Sequence, residues 1–156
     1  MSTSNEKTNA DDFIAPVCDL EIDVLYEDKH LLVINKPTGL LSLSGKNLLN
    51  KDSVHYRLRQ QYQSIAMVHR LDFGTSGLMV LALDKNINAH LTKQFQSRTI
   101  VKRYVALLSG HVENDKGVID LPIAKGDFPR QKIWGLTQIM HNFVLSEYEK
   151  KSFKQV

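Results

Sequence analysis

Cysteine is almost absent from this chain of 156 residues: it occurs once, at Cys18. No internal disulfide is possible, which fits a reducing compartment, and a cysteine-rich four-ligand zinc site is excluded. Long apolar runs are missing as well. None approaches the roughly 20 residues of a membrane span, and the polar N-terminus has no signal-peptide apolar region. No large excess of either charge is present. The formal net charge is +3 and the pI about 8.9, compatible with a polyanionic partner but too weak to require one. Repeats, low-complexity segments and a histidine cluster are also lacking. The expectation is a cytoplasmic, membrane-free protein. Hydrophobic residues at 42% and charged residues at 24% are ordinary for one globular domain.

Against this plain background one stretch stands out, His69-Arg70-Leu71-Asp72-Phe73-Gly74-Thr75-Ser76-Gly77. It gathers an acid, two bases, two hydroxyls and two glycines, and the apolar run Leu78 to Leu83 follows at once, as a buried strand would. Glycine allows backbone geometry closed to residues with a Cβ. Polar groups beside a buried strand can be held rigidly. Asp72 is the only carboxylate between Asp52 and Asp84, so acid or nucleophile chemistry here falls to it. A solvated loop is the alternative on composition alone.

Several familiar site patterns fail on this stretch. It is not a G-x-S-x-G nucleophile elbow, because glycine follows Ser76 directly. It is not a phosphate-binding P-loop, because no Gly-Lys-Ser/Thr closes it. His69 and Asp72 without a third ligand make no metal site, and His69 alone reads first as a packed or hydrogen-bonding histidine.

The rest of the chain alternates strands and helices. Residues Met1 to Pro16 read as a frayed tail. Ile22, Val24 and Tyr26 suggest a first strand, Glu27-Asp28-Lys29 a turn, and Leu31 to Asn35 a second strand that Lys36-Pro37-Thr38-Gly39 ends. A helix starts at Asp52 or Ser53, both good N-caps, with Val54, Leu58 and Tyr62 as its stripe and Arg57 and Arg59 on a solvated face. Ile65 to Val68 is a short strand delivering the motif. Asn86 is expected to cap a second helix with the stripe Ile87, Leu91 and Phe95, closing at Arg98. Val101 to Ser109 is expected as a strand, and Asn114-Asp115-Lys116-Gly117 as the turn of a hairpin with Val118 to Leu121. From Ile133 to Tyr148 the apolar residues follow a helical period.

The pattern His69-Arg70-Leu71-Asp72-x-x-Thr75-Ser76-Gly77 resembles the signature of the RluA family of RNA pseudouridine synthases. Asn35-Lys36-Pro37-Thr38-Gly39-Leu40 is similar to the family's first motif, and Lys102-Arg103-Tyr104-Val105-Ala106 to its third. Order and spacing agree across roughly Val24 to Lys132. The resemblance implies an α/β (α+β) pseudouridine synthase core, with a mixed, mainly antiparallel sheet and flanking helices. It implies isomerisation of uridine to pseudouridine in structured RNA, 23S ribosomal RNA and a transfer-RNA anticodon stem-loop, with no metal or organic cofactor. Asp72 would be the essential carboxylate, as nucleophile or as base toward the sugar, helped to stay ionised by Thr75, Ser76 or nearby N–H groups. Tyr104 would stack on the flipped uracil and stand as candidate for taking the C5 proton. Arg70 would fill the vacated stack, and His69, Thr75, Ser76, Lys102 and Arg103 would complete the RNA contacts. A monomer is expected.

The resemblance also sets expected boundaries: a tail over 1–18, the N-terminal part of the catalytic domain over 19–132, and a divergent segment over 133–156. The family's arginine motif, whose first arginine pairs with the catalytic carboxylate, has no counterpart after Lys132. The segment beyond it reads as after a frameshift or truncation. The rivals to an enzyme are an RNA-binding module without catalysis and an inactive truncated product.

Overall fold

The computed structural model describes residues 13–107, 113–125, 131–133 and 143–149. They belong to two units, one within Asp11–Arg103 and one in the chain from Tyr104 onward. In the first unit, β1 (Asp23–Glu27), β2 (Leu31–Lys36), β3 (Ala66–Met67) and β4 (Gly77–Ala82) form an antiparallel sheet in the order β1-β2-β4-β3. Helices α1 (Val54–Arg59) and α2 (Lys85–Gln96) lie between and after these strands. In the second unit β5 (Lys116–Lys125) pairs antiparallel with β6 (Gln131–Ile133) and β7 (Phe143–Glu149). This is the mixed α/β, mainly antiparallel architecture expected.

The period of two in β2 sets the core. Leu32, Ile34 and Lys36 point to the buried face, and Leu31, Val33 and Asn35 to the other. Opposite them in β4, Leu81 faces Leu32 and Met79 faces Ile34. Leu40, Val54, Leu58, Ile65 and Leu71 close the cluster. Each such side chain contributes about 1.5–3 kcal/mol by leaving water. The motif loop is thus not laid on the surface of this core. Leu71, only 7% exposed, is part of it.

Helix α1 begins as expected at Ser53, whose Oγ accepts from the Tyr56 N–H at 3.1 Å. Two further first-turn donors are satisfied from outside the helix: Val54 N–H reaches Leu41 O at 2.8 Å and His55 N–H reaches Ser42 O at 3.2 Å. For α2 the cap is Asp84 rather than Asn86. Its carboxylate accepts from the Asn86 and Ile87 N–H groups, both at 2.9 Å, and an anion here also suits the helix dipole. These hydrogen bonds, with the His30 ring 2.9 Å away, hold the Asp84 carboxyl below its ordinary range. At the far end Arg98 takes a positive φ of 56° while its N–H returns to Phe95 O and that of Thr99 to Gln94 O, a Schellman closure.

Four further expectations are corrected. The tail does not extend to Pro16: Asn50 donates to Phe13 O at 2.6 Å and accepts from the Ala15 N–H at 2.8 Å, and Phe13 packs edge-on against Phe73. Arg57 is not on a solvated face. It forks onto Asp52 and donates to the carbonyls of Leu20 and Cys18, pinning the segment before β1. Residues 101–107 form no strand. Val101, Tyr104, Val105 and Leu107 are exposed, and β5 finds its ladder partners in β6 and β7 instead. Residues 108–109 and 134–142 lie outside the described residues, but Phe143–Glu149 is strand, against the helical period read there.

His69 ties the motif loop to the rest of the unit. Its Nε2 accepts from the Val80 N–H at 3.0 Å, and its ring stacks on Phe95 of α2 with centroids 4.6 Å apart. Only the neutral imidazole can accept here. Burial, and secondarily the charge of Lys102, push its pKa below the ordinary 6.5.

Two outcomes follow. Replacing Ser53 with alanine costs about 1 kcal/mol of stability, read as a lowered denaturation midpoint at unchanged slope. Because the unfolded chain takes up the His69 proton before the folded one does, stability is lost as pH falls below 6.5. His69→Gln, which can still accept a hydrogen bond but cannot titrate, flattens that part of a melting-temperature profile against pH; an unchanged profile would contradict it.

Candidate active site

The stretch from Val68 to Ser76 leaves β3 and returns into β4. Extended chain around Leu71 sends neighbouring side chains opposite ways: Leu71 inward, Arg70 and Asp72 outward. Asp72 then starts a tight turn, closed by the Thr75 N–H on Asp72 O at 3.0 Å. At its end Gly77 adopts a φ of +128° as the chain enters β4, a conformation that disfavours any residue with a Cβ. Gly74 shows no such demand.

A second turn, residues Lys36 to Leu40, holds this one from below. Gly39, itself at a φ of +75°, donates its N–H to Phe73 O at 2.9 Å, and Thr38 Oγ1 donates to Gly74 O at 3.0 Å. Lys36 supplies the centre. It is 0% exposed, and its Nζ reaches Leu40 O at 2.7 Å, Pro37 O at 2.9 Å and, more weakly, Phe73 O at 3.5 Å. Burial lowers its pKa, while Cys18 and then Asp72 act the other way and favour the ammonium.

Between His69 and Asp72 a buried hydroxyl holds the main chain at Leu71. Ser42 Oγ donates to Leu71 O at 2.6 Å and accepts from the Leu71 N–H at 3.2 Å.

The loop therefore brings together His69, Arg70, Asp72, Thr75 and Ser76 of the residues singled out in the sequence. Their surroundings differ. Arg70, Asp72 and Ser76 are exposed, Thr75 is partly covered, and His69 is held against Phe95 and Val80. Thr75, Ser76 or nearby N–H groups were expected to help keep Asp72 ionised; the Thr75 N–H goes to the Asp72 carbonyl. Lys102 lies near enough for its charge to act on His69. Lys102 and Arg103 are exposed on irregular chain, and Tyr104, 63% exposed, belongs to the second unit. No group of three or more potential metal ligands occurs among the described residues, and no described helix is long and apolar enough to cross a membrane.

Lys36 and Ser42 were not singled out beforehand. For Lys36 a signal existed: it stands two residues beyond Ile34 and four beyond Leu32, on the inward face of a strand. Ser42 carried no local signal, since its importance lies in a partner 29 residues away.

An exposed carboxylate and an exposed guanidinium, flanking a buried leucine on a loop whose backbone is tied at both sides, can address a substrate larger than the site itself. Comparison with known proteins gives the family. Residues 30–155 match the family described as RNA pseudouridylate synthase. Three bacterial relatives carry the name dual-specificity RNA pseudouridine synthase RluA. That of Vibrio vulnificus is 50% identical over 108 residues, covering 69% of this chain and 43% of the relative. That of Yersinia pestis is 46% identical, covering 70% and 54%, and that of Escherichia coli K12 43% identical, covering 70% and 51%. The chain thus spans about half the length of the curated relatives it matches. Among solved structures, human RNA pseudouridylate synthase domain containing 1 superposes with a TM-score of 0.61 at 26% identity, over 85% of this chain and 52% of that one. With motif, fold and relatives in agreement, the chain belongs to the RNA pseudouridylate synthase family.

Proposed function

We propose that this chain carries the N-terminal part, about residues 19–132, of a cytoplasmic enzyme that isomerises uridine to pseudouridine, working as a monomer. Its substrates on this reading are 23S ribosomal RNA and a transfer-RNA anticodon stem-loop, in keeping with the dual specificity in the relatives' name. The observation that carries it is the opposed placement of Leu71 and Asp72: the leucine is anchored in the core and the acid stands exposed beside Arg70.

The chemistry fits such a site. A uridine in folded RNA is unreachable until it is flipped out, at a cost of a few kcal/mol. The planar guanidinium of Arg70 can stack where the base was and pair with phosphate. Asp72, facing solvent, can then meet the sugar as nucleophile or as base while the glycosidic bond breaks. The uracil turns, C5 joins the same ribose carbon, and the C5 proton leaves. Tyr104 serves as the stacking surface for the uracil and the candidate acceptor of that proton. Lys102 and Arg103 supply phosphate contacts, with Thr75 and Ser76 available for hydrogen bonds. His69 contributes chiefly from behind, by fixing the loop to β4 and α2. No metal or organic cofactor enters this scheme.

Tritium release from C5-labelled uridine in RNA tests the reading directly. The chain should release tritium, and Asp72→Asn should abolish release while RNA affinity stays within about twofold, as expected when a group acts on the transition state and not on binding. RNA binding without release by the unaltered chain would instead favour a non-catalytic RNA-binding module. Arg70→Ala should lower turnover on folded RNA more than on an unstructured oligonucleotide, because only the former must be unstacked.

A further inference from the structure

We propose that Ser42 is a positioning residue for Asp72, setting the direction of the carboxylate through the backbone of Leu71. The idea rests on the assignment of Asp72 as the reacting acid. Among the described residues the Asp72 carboxylate accepts no hydrogen bond, so its direction is inherited from the main chain. The carbonyl of Leu71 and the N–H of Asp72 share one peptide plane. Whatever orients that carbonyl orients the Cα that bears the acid.

Ser42 is built for this. Its hydroxyl has one hydrogen to give and lone pairs to receive, and both are used on the same residue: the hydrogen on Leu71 O at 2.6 Å, a lone pair for the Leu71 N–H at 3.2 Å. It is 5% exposed, with Met79 Sδ at 3.8 Å, so water does not compete. Its own backbone is fixed in turn, because Ser42 O accepts from the His55 N–H in the first turn of α1, and its neighbour Leu41 O from that of Val54. The route runs from the start of a helix, through one hydroxyl, to the residue before the acid. Downstream of Asp72 the loop has several ties, from Lys36, Thr38 and Gly39. Upstream, from Arg70 to Asp72, Ser42 provides the hydrogen bonds described for the main chain.

The test pairs Ser42→Ala with Ser42→Thr, which keeps the hydroxyl. Turnover is measured by tritium release and local order by amide hydrogen exchange. In the alanine variant kcat should fall by about tenfold to a hundredfold with KM for RNA nearly unchanged, the pattern of a misplaced reacting group. The Thr75 amide, bonded to Asp72 O, should exchange about tenfold faster while the Asn88 amide in α2 keeps its rate. Threonine should restore both. Should the alanine variant not fold, Ser42→Cys, similar in size and weaker in hydrogen bonding, carries the same expectation. Unchanged Thr75 exchange, or equal acceleration at Thr75 and Asn88, overturns the proposal. A wild-type chain without tritium release would defeat the functional reading alone, since the exchange pattern still decides the role of Ser42.

Discussion

The first unit depends on a charge placed where charges are rarely found. Lys36 continues the inward face of β2 beyond Leu32 and Ile34, and its ammonium sits wholly out of water. Such a group is costly to bury unless its donors are satisfied. Here they are satisfied by main-chain carbonyls, not by a carboxylate. That choice has a structural meaning. Carbonyls of Pro37, Leu40 and Phe73 turn toward one point, so the turn after β2 and the turn after Asp72 are drawn together around the same cation. Removing the ammonium would take the side-chain donor from the buried Leu40 carbonyl and from that of Pro37, while Phe73 O would keep the Gly39 N–H.

Asp72 makes no direct ion pair among the described residues. The resemblance puts an arginine from a later motif against this carboxylate, a motif with no counterpart after Lys132. Among the described residues Asp72 is one of the charges that favour the Lys36 ammonium, after Cys18. The acid remains open toward solvent, where a polymeric substrate can approach.

How much of this was legible beforehand depended on the range of the forces involved. β2 and β4 were plain in the sequence because alternation is a local signal, and Ser53 because an N-cap acts within three residues. Asn86 was expected as the second cap, yet Asp84 takes that place, because the ladder ending at Ala82 puts it at the boundary. Val101 to Leu107 have strand-like composition, yet composition cannot supply a partner strand, and the ladder of β5 goes to β6 and β7. The apolar spacing beyond Ile133 mimicked a helix for the same reason: periodicity is weak where pairing decides. In the site, Asp72 and Arg70 could be read from the motif, whereas Ser42 could not, because the contact that gives it meaning spans the chain.

The in-and-out alternation of Arg70, Leu71 and Asp72 bears on how such a loop can vary. Substitution at the outward positions leaves the anchor in place, so the chemistry displayed there is free to change with little penalty to folding. Insertion or deletion of one residue between β3 and Leu71 is another matter. It would rotate the acid into an apolar cluster and the leucine into water, and the Ser42 hydroxyl would meet the wrong peptide. The loop is permissive in side chain and strict in length.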